Sequence, residues 1–117
     1  MTNNKFDIAK LKTAWNGGEA SLLVGLYADE FEQTEIDDVT PPNAPRKRTK
    51  MEYLDIAERA MSNGVKMEFY NFVPGDQRAA YSFVCHMPSG GKTVGNVIVE
   101  LKDGMIVKET TIQAREK

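Results

Sequence analysis

Apolar positions along the chain follow two periodicities. Up to about residue 27, and again from 49 to 64, they recur every three or four residues; elsewhere they alternate with polar ones. Ile8, Leu11 and Trp15 lie on one face of a helix predicted over Asn4–Trp15, with Asn4 placed to cap it. The "NGG" at Asn16–Gly18 breaks that helix. A second, short helix is expected over about Glu19–Tyr27, with Leu22, Leu23, Leu26 and Tyr27 on one face. Alternation then predicts a strand from Asp29 to about Ile36. "DDVTPPNAPRKR", with three prolines and a basic triplet, reads as a long loop. Its paucity of periodic apolar residues predicts a mobile segment with exposed Arg46–Arg48. Thr49 and Glu52 have the spacing of a capping box and open a third helix carrying Tyr53, Leu54, Ile56, Ala57, Ala60 and Met61, which stops at Gly64. Four strands follow, over 65–73, 79–87, 93–101 and 105–114, separated by "PGD", "PSGG" and "KDG" turns. The order of elements predicts an α+β fold: a curved antiparallel sheet wrapped around three helices from the N-terminal half, in one domain over 1–117.

Composition narrows the class. The chain has 117 residues, 41% of them hydrophobic, enough to bury a core without cross-links. Its single cysteine, Cys85, rules out an internal disulfide. A net charge of −2 offers no electrostatic footprint for nucleic acid or an anionic membrane. "MTNNKFDIAK" has no apolar leader pattern and no apolar run approaches membrane length, so a cytoplasmic location is expected.

Two stretches carry a resemblance. "AWNGGEASLLVGLYADEFEQTE" (14–35) and "LKDGMIVKETTI" (101–112) are similar, in motif order and spacing, to the nuclear transport factor 2-like superfamily, nearest its SnoaL-like, polyketide cyclase-like branch. The motifs are the Asn16-Gly17-Gly18-Glu19 turn, the Leu26-Tyr27-Ala28-Asp29-Glu30 helix end and the Asp103-Gly104-Met105-Ile106 hairpin. The resemblance spans nearly the whole chain. It implies a cone-shaped, cystatin-like fold with a pocket at its open end, and dimers formed through the outer face of the sheet. It does not fix a function, because this scaffold hosts enzymes, binding proteins and partner modules.

The candidate chemistry starts with six carboxylates between Leu26 and Asp38: Asp29, Glu30, Glu32, Glu35, Asp37 and Asp38. Strand alternation scatters them over two faces and two turns, which disfavours a metal site needing converging oxygens. Glu35 stands apart. It shares the inward face with Phe31 and Gln33, near the expected mouth of the cone. A carboxylate desolvated there would titrate high and could serve as a general base. The ketosteroid isomerases of the superfamily place their proton-shuttling Asp at the position an ungapped match assigns to Glu35. Their two oxyanion donors fall on Leu11 and Val97, which cannot replace them. SnoaL-like cyclases use acid/base residues on the last strand, where Glu109 is the nearest inward acid. Tyr81 completes the candidate catalytic set of Glu35, Tyr81 and Glu109, with Asn71 and Thr111 as further polar groups on the inward faces. Parity turns His86 outward, and Cys85 reads as a core thiol. "SGGKT" (89–93) lacks the first glycine of a phosphate loop and is a hairpin turn.

The expected pocket lining is Trp15, Tyr27, Phe31, Tyr53, Met67, Phe69, Phe83 and Val97, an apolar set suited to a small apolar or aromatic molecule. The same side chains could equally fill the cone. No cofactor motif is found. The outer sheet face carries Tyr70, Phe72, Val84 and Ile98 between charged edges, and predicts a homodimer. Three functions follow: a small-molecule binding protein, a lyase, isomerase or hydrolase using Glu35 as base, and a protein-interaction module without a pocket.

Overall fold

The computed structural model describes residues 6–116. Helix α1 (Ile8–Gly17) begins at Asp7, whose carboxylate accepts from the Ala9 amide at 2.9 Å. Its buried stripe is Leu11, Ala14 and Trp15. Gly18, at φ 65°, turns left-handed and returns its amide to the Ala14 and Trp15 carbonyls. The cap predicted at Asn4 lies outside the described residues.

Helix α2 (Ser21–Val24) is a single turn, shorter than its periodicity suggested. Strand β1 (Tyr27–Ile36) starts right after it, and the Leu26 carbonyl already accepts from the Ile106 amide at 2.9 Å. The pair Leu26–Tyr27 suits a helix face or a buried strand entry, and sheet pairing decides for the strand. The expected loop contains a further strand, β2 (Arg46–Thr49), antiparallel to β1. It leads directly into α3 (Lys50–Ser62) through the predicted capping box: Thr49 Oγ1 accepts from the Glu52 amide, and Glu52 Oε1 from the Thr49 amide. Strands β3 (Lys66–Val73), β4 (Arg78–His86), β5 (Lys92–Lys102) and β6 (Met105–Arg115) form the expected meander.

The fold is α+β, with three helices and a curved six-stranded sheet in the order β2-β1-β6-β5-β4-β3. The sheet is mixed, not antiparallel throughout. β1 and β6 run parallel, with Gln33 opposite Glu109 and Glu35 opposite Thr111. This one pairing brings the early acidic strand against the last strand.

One more parity differs. Asn71 takes φ 56° and the β3–β4 register shifts between Tyr70 and Val73. The bulge turns Phe72 away from the outer face, where alternation had put it. Its ring meets Phe6 edge-on at 6.0 Å, against the core. The same bulge leaves Asn71 exposed rather than inward.

Candidate functional site

The concave side of the sheet encloses a cavity of about 220 Å³. Its two walls differ in chemistry because different strands build them. Strands β1, β2 and β6 supply Gln33, Glu35, Arg48, Glu109, Thr111 and Gln113. Strands β3, β4 and β5 supply Met67, Phe69, Phe83, Cys85 and Val97, with Thr93 and the phenol of Tyr81 as their polar contributions. Trp15 comes from α1, and Tyr53, Ile56, Ala57 and Ala60 from α3. Ile56 and Met87 also line it and are exposed, which marks the opening.

The polar wall is one connected network. Arg46 Nη1 donates to Glu35 Oε2 at 2.9 Å, and Arg48 Nη1 to Glu35 Oε1 at 3.0 Å. Arg48 Nη1 also donates to Gln33 Oε1 at 2.9 Å. A guanidinium only donates, so this contact fixes the Gln33 amide. Its nitrogen must then face the other way, where it donates to Glu109 Oε2 at 3.2 Å and to Thr111 Oγ1 at 3.3 Å. Thr111 Oγ1 in turn donates to Glu109 Oε2 at 3.1 Å. Glu109 is therefore asymmetric: Oε2 accepts two hydrogen bonds, while the buried Oε1 has no partner among the described residues.

Burial pushes the Glu109 carboxyl up to about 7, and the neighbouring Glu35 charge acts in the same direction; hydrogen bonds from Thr111 and Gln33, and the nearby Tyr53 hydroxyl, pull against it. An acid in that range changes protonation near neutrality, as a general acid or base must. Burial also raises Tyr81 and Tyr53 well above an ordinary phenol, with Glu109 adding to both. Both stay neutral donors. Burial raises the half-buried Cys85 thiol as well.

No protein-family model matches the sequence, and no curated protein matches it. Solved structures do match in shape. A nuclear transport factor 2-like protein from Mesorhizobium loti superposes with a TM-score of 0.74 at 13% identity, over 94% of this chain and 88% of its own. A SnoaL-like protein from Burkholderia thailandensis gives 0.65 at 17%, over 91% and 89%. A candidate polyketide cyclase from Streptomyces antibioticus gives 0.68 at 21%, over 91% and 88%. The chain has the nuclear transport factor 2-like fold.

Within this nuclear transport factor 2-like cone, Trp15, Tyr53, Met67, Phe69, Phe83 and Val97 lie on the cavity wall, as do Glu35, Tyr81 and Glu109. Tyr27 and Phe31 do not. Tyr27 is fully buried, 4.7 Å from the Phe31 ring and 5.1 Å from Tyr53, and the three rings pack α3 onto β1. Glu35 faces inward, but apolar residues do not surround it: both its oxygens are held by arginines. Of the basic triplet, Arg46 and Lys47 are exposed as expected and only Arg48 is not. Arg46 and Arg48 turn inward on β2 and Lys47 outward, towards Glu32 at 3.7 Å. Of the other acids, Asp29 pairs with Lys50 and Asp38 with Arg115. His86 bonds Glu68 on β3 and does not line the cavity. Leu11 and Val97, where the isomerase donors would stand, are buried and apolar.

Sequence reasoning missed Arg48 and Gln33 as site residues. A signal for both was present. Arg46 and Arg48 repeat at the same two-residue interval as Gln33 and Glu35, which is the complementarity of paired strands.

Proposed function

We propose that the chain binds a small, mainly apolar organic molecule in the cone cavity, with Glu109 as the group that exchanges a proton with it. The observation that carries this reading is Glu109 Oε1, a buried carboxylate oxygen without a partner among the described residues, on a residue that lines a largely apolar cavity. A bound hydroxyl or amide would supply the missing hydrogen bond. An apolar cavity of about 150 Å³ suffices for benzene, so 220 Å³ suits a molecule of roughly one ring.

Trp15 is the only tryptophan and lines the cavity, so its fluorescence reports occupancy. Phenol should change that signal saturably in the wild type and fail to do so in Ala60→Phe, where the new ring fills the space. A folded Ala60→Phe variant that binds phenol as before would show that the molecule sits elsewhere. Absence of any saturable change would favour the protein-interaction module.

A second reading is a proton-transfer enzyme, with Glu109 taking the role first considered for Glu35. It is favoured by the value of about 7 and by the engagement of both Glu35 oxygens. The resemblance in fold to a candidate polyketide cyclase is compatible with it. 5-Nitrobenzisoxazole opens its ring on losing a carbon-bound proton. Its opening should accelerate as pH rises through about 7 and lose that dependence in Glu109→Gln. Turnover no faster than buffer alone would remove Glu109 as a competent base.

A further inference from the structure

On the cavity side of the polar wall, positive charge exceeds negative whenever Glu109 is protonated. Two guanidinium groups, Arg46 and Arg48, close on the one carboxylate of Glu35. The Arg46 side chain is 46% exposed and is screened by water, whereas that of Arg48 is only 14% exposed. The surplus charge therefore lies partly on a poorly hydrated cation at the cavity wall. Arg48 uses only Nη1 in its hydrogen bonds among the described residues. Nε and Nη2 remain to receive a planar anion, the geometry a guanidinium fork suits.

The groups facing Glu109 come from several elements: Glu35 and Tyr27 from β1, Arg48 through Gln33 from β2, Tyr53 from α3 and Tyr81 from β4. The tyrosines stay neutral. Charge on the cavity side of this wall is thus set by two arginines, Glu35 and the protonation of Glu109, while exposed Asp37 and Glu52 act on Arg46 and Arg48 from the solvent side, where water screens them. With Glu109 protonated the cavity side of the wall holds one net positive charge, and Oε1 becomes a hydrogen-bond donor with no partner among the described residues.

We propose that the cavity takes a small monocarboxylate bearing one aromatic or alicyclic ring, its ring against the β3–β5 wall, its carboxylate at Arg48, and Glu109 in its acid form donating from Oε1. This inference rests on the cavity-binding reading above and narrows its ligand class. A monoanion neutralises the wall and satisfies the unpartnered oxygen in one step. It also couples binding to a proton. Above about pH 7 Glu109 is ionised when the cavity is empty, so the anion must bring a proton with it. Affinity should then fall about tenfold per pH unit.

Benzoate and benzamide test this, being nearly the same shape and differing in charge. Each is titrated against the wild type at pH 6 and pH 8, followed by Trp15 fluorescence and calorimetry. Benzoate should bind at least tenfold more tightly than benzamide at pH 6, lose that advantage by pH 8, and take up a proton at pH 8. Glu109→Gln should remove the pH dependence. Arg48→Gln should bring benzoate down to the benzamide level, and Arg46→Gln, which removes the surplus charge from the exposed side, should reduce the preference in a variant that leaves Arg48 in place. Benzamide binding as tightly as benzoate would overturn the carboxylate assignment and leave cavity binding standing. Failure of both to bind would overturn the two together.

Discussion

Glu109 treats its two oxygens differently, and this asymmetry has a consequence for stability. The folded protein holds the acid at about 7, against 4.5 for an unperturbed glutamate, so the folded state binds the proton more tightly than the unfolded chain. Its contribution is complete below about pH 4.5 and is lost as pH rises through about 7, amounting to about 3 kcal/mol. Urea denaturation should therefore show stability falling between pH 5 and pH 8.5. Glu109→Gln should flatten that slope, nearly match the wild type at pH 5, and exceed it at pH 8.5. A wild type as stable at pH 8.5 as at pH 5 would place the carboxylate in a wetter setting than the structure gives it. At this scale the sequence was partly legible. Alternation put Glu35 and Glu109 on inward faces. It could not tell which was the encumbered acid, because that depends on cations from a strand that local pattern did not reveal.

Elements divide along the same line. α3 was readable because its signals are local: a Thr49 cap, Glu52 three residues later and apolar positions at helical spacing. β2 was not, because "PPNAPRKRT" has the prolines and charge of a loop and is held by what it pairs with. Its register sets Arg48 opposite Gln33 and Arg46 opposite Glu35, so its side chains meet complementary polar groups at every inward position. The remaining turn at 37–45 is tied by the Asp37–Thr40 bridge and by Arg115 reaching Asp38 at 3.2 Å. Phe72 fails for another reason. A single residue at positive φ reverses the parity of all that follow, and Asn71 is a residue type that tolerates that conformation. The Asn71 side chain gives only a weak hint of it beforehand.

For the molecule as a whole, the meander of β3 to β6 followed from turn chemistry, while the parallel β1–β6 pairing joins distant segments and leaves no local mark. That pairing completes the sheet, and the convex face it creates bears on assembly. Cross-strand partners lay out a grid there: Tyr70 beside Ser82, Ser82 beside Asn96, Asn96 beside Ile112, with Val84 beside Val94 and Ala80 beside Ile98. Tyr70, Val94, Ile98 and Ile112 are 44–53% exposed. Ser82 donates to Asn96 Oδ1 at 2.7 Å, which leaves the Asn96 amide nitrogen as a donor for an acceptor across a seam. We propose a homodimer through this face, built on Tyr70, Val84 and Ile98 with Val94 and Ile112 and without Phe72, which the bulge removes. Such a contact is isologous, so a residue near its axis meets its own copy. Ile98→Asp would then bury two carboxylates against each other and should convert the protein to a folded monomer. Light scattering coupled to size exclusion reads the outcome directly. The wild type should elute at twice the chain mass at micromolar concentration and the variant at the chain mass. A monomeric wild type, or a variant that remains dimeric, would show that this face is left to solvent or to a different partner.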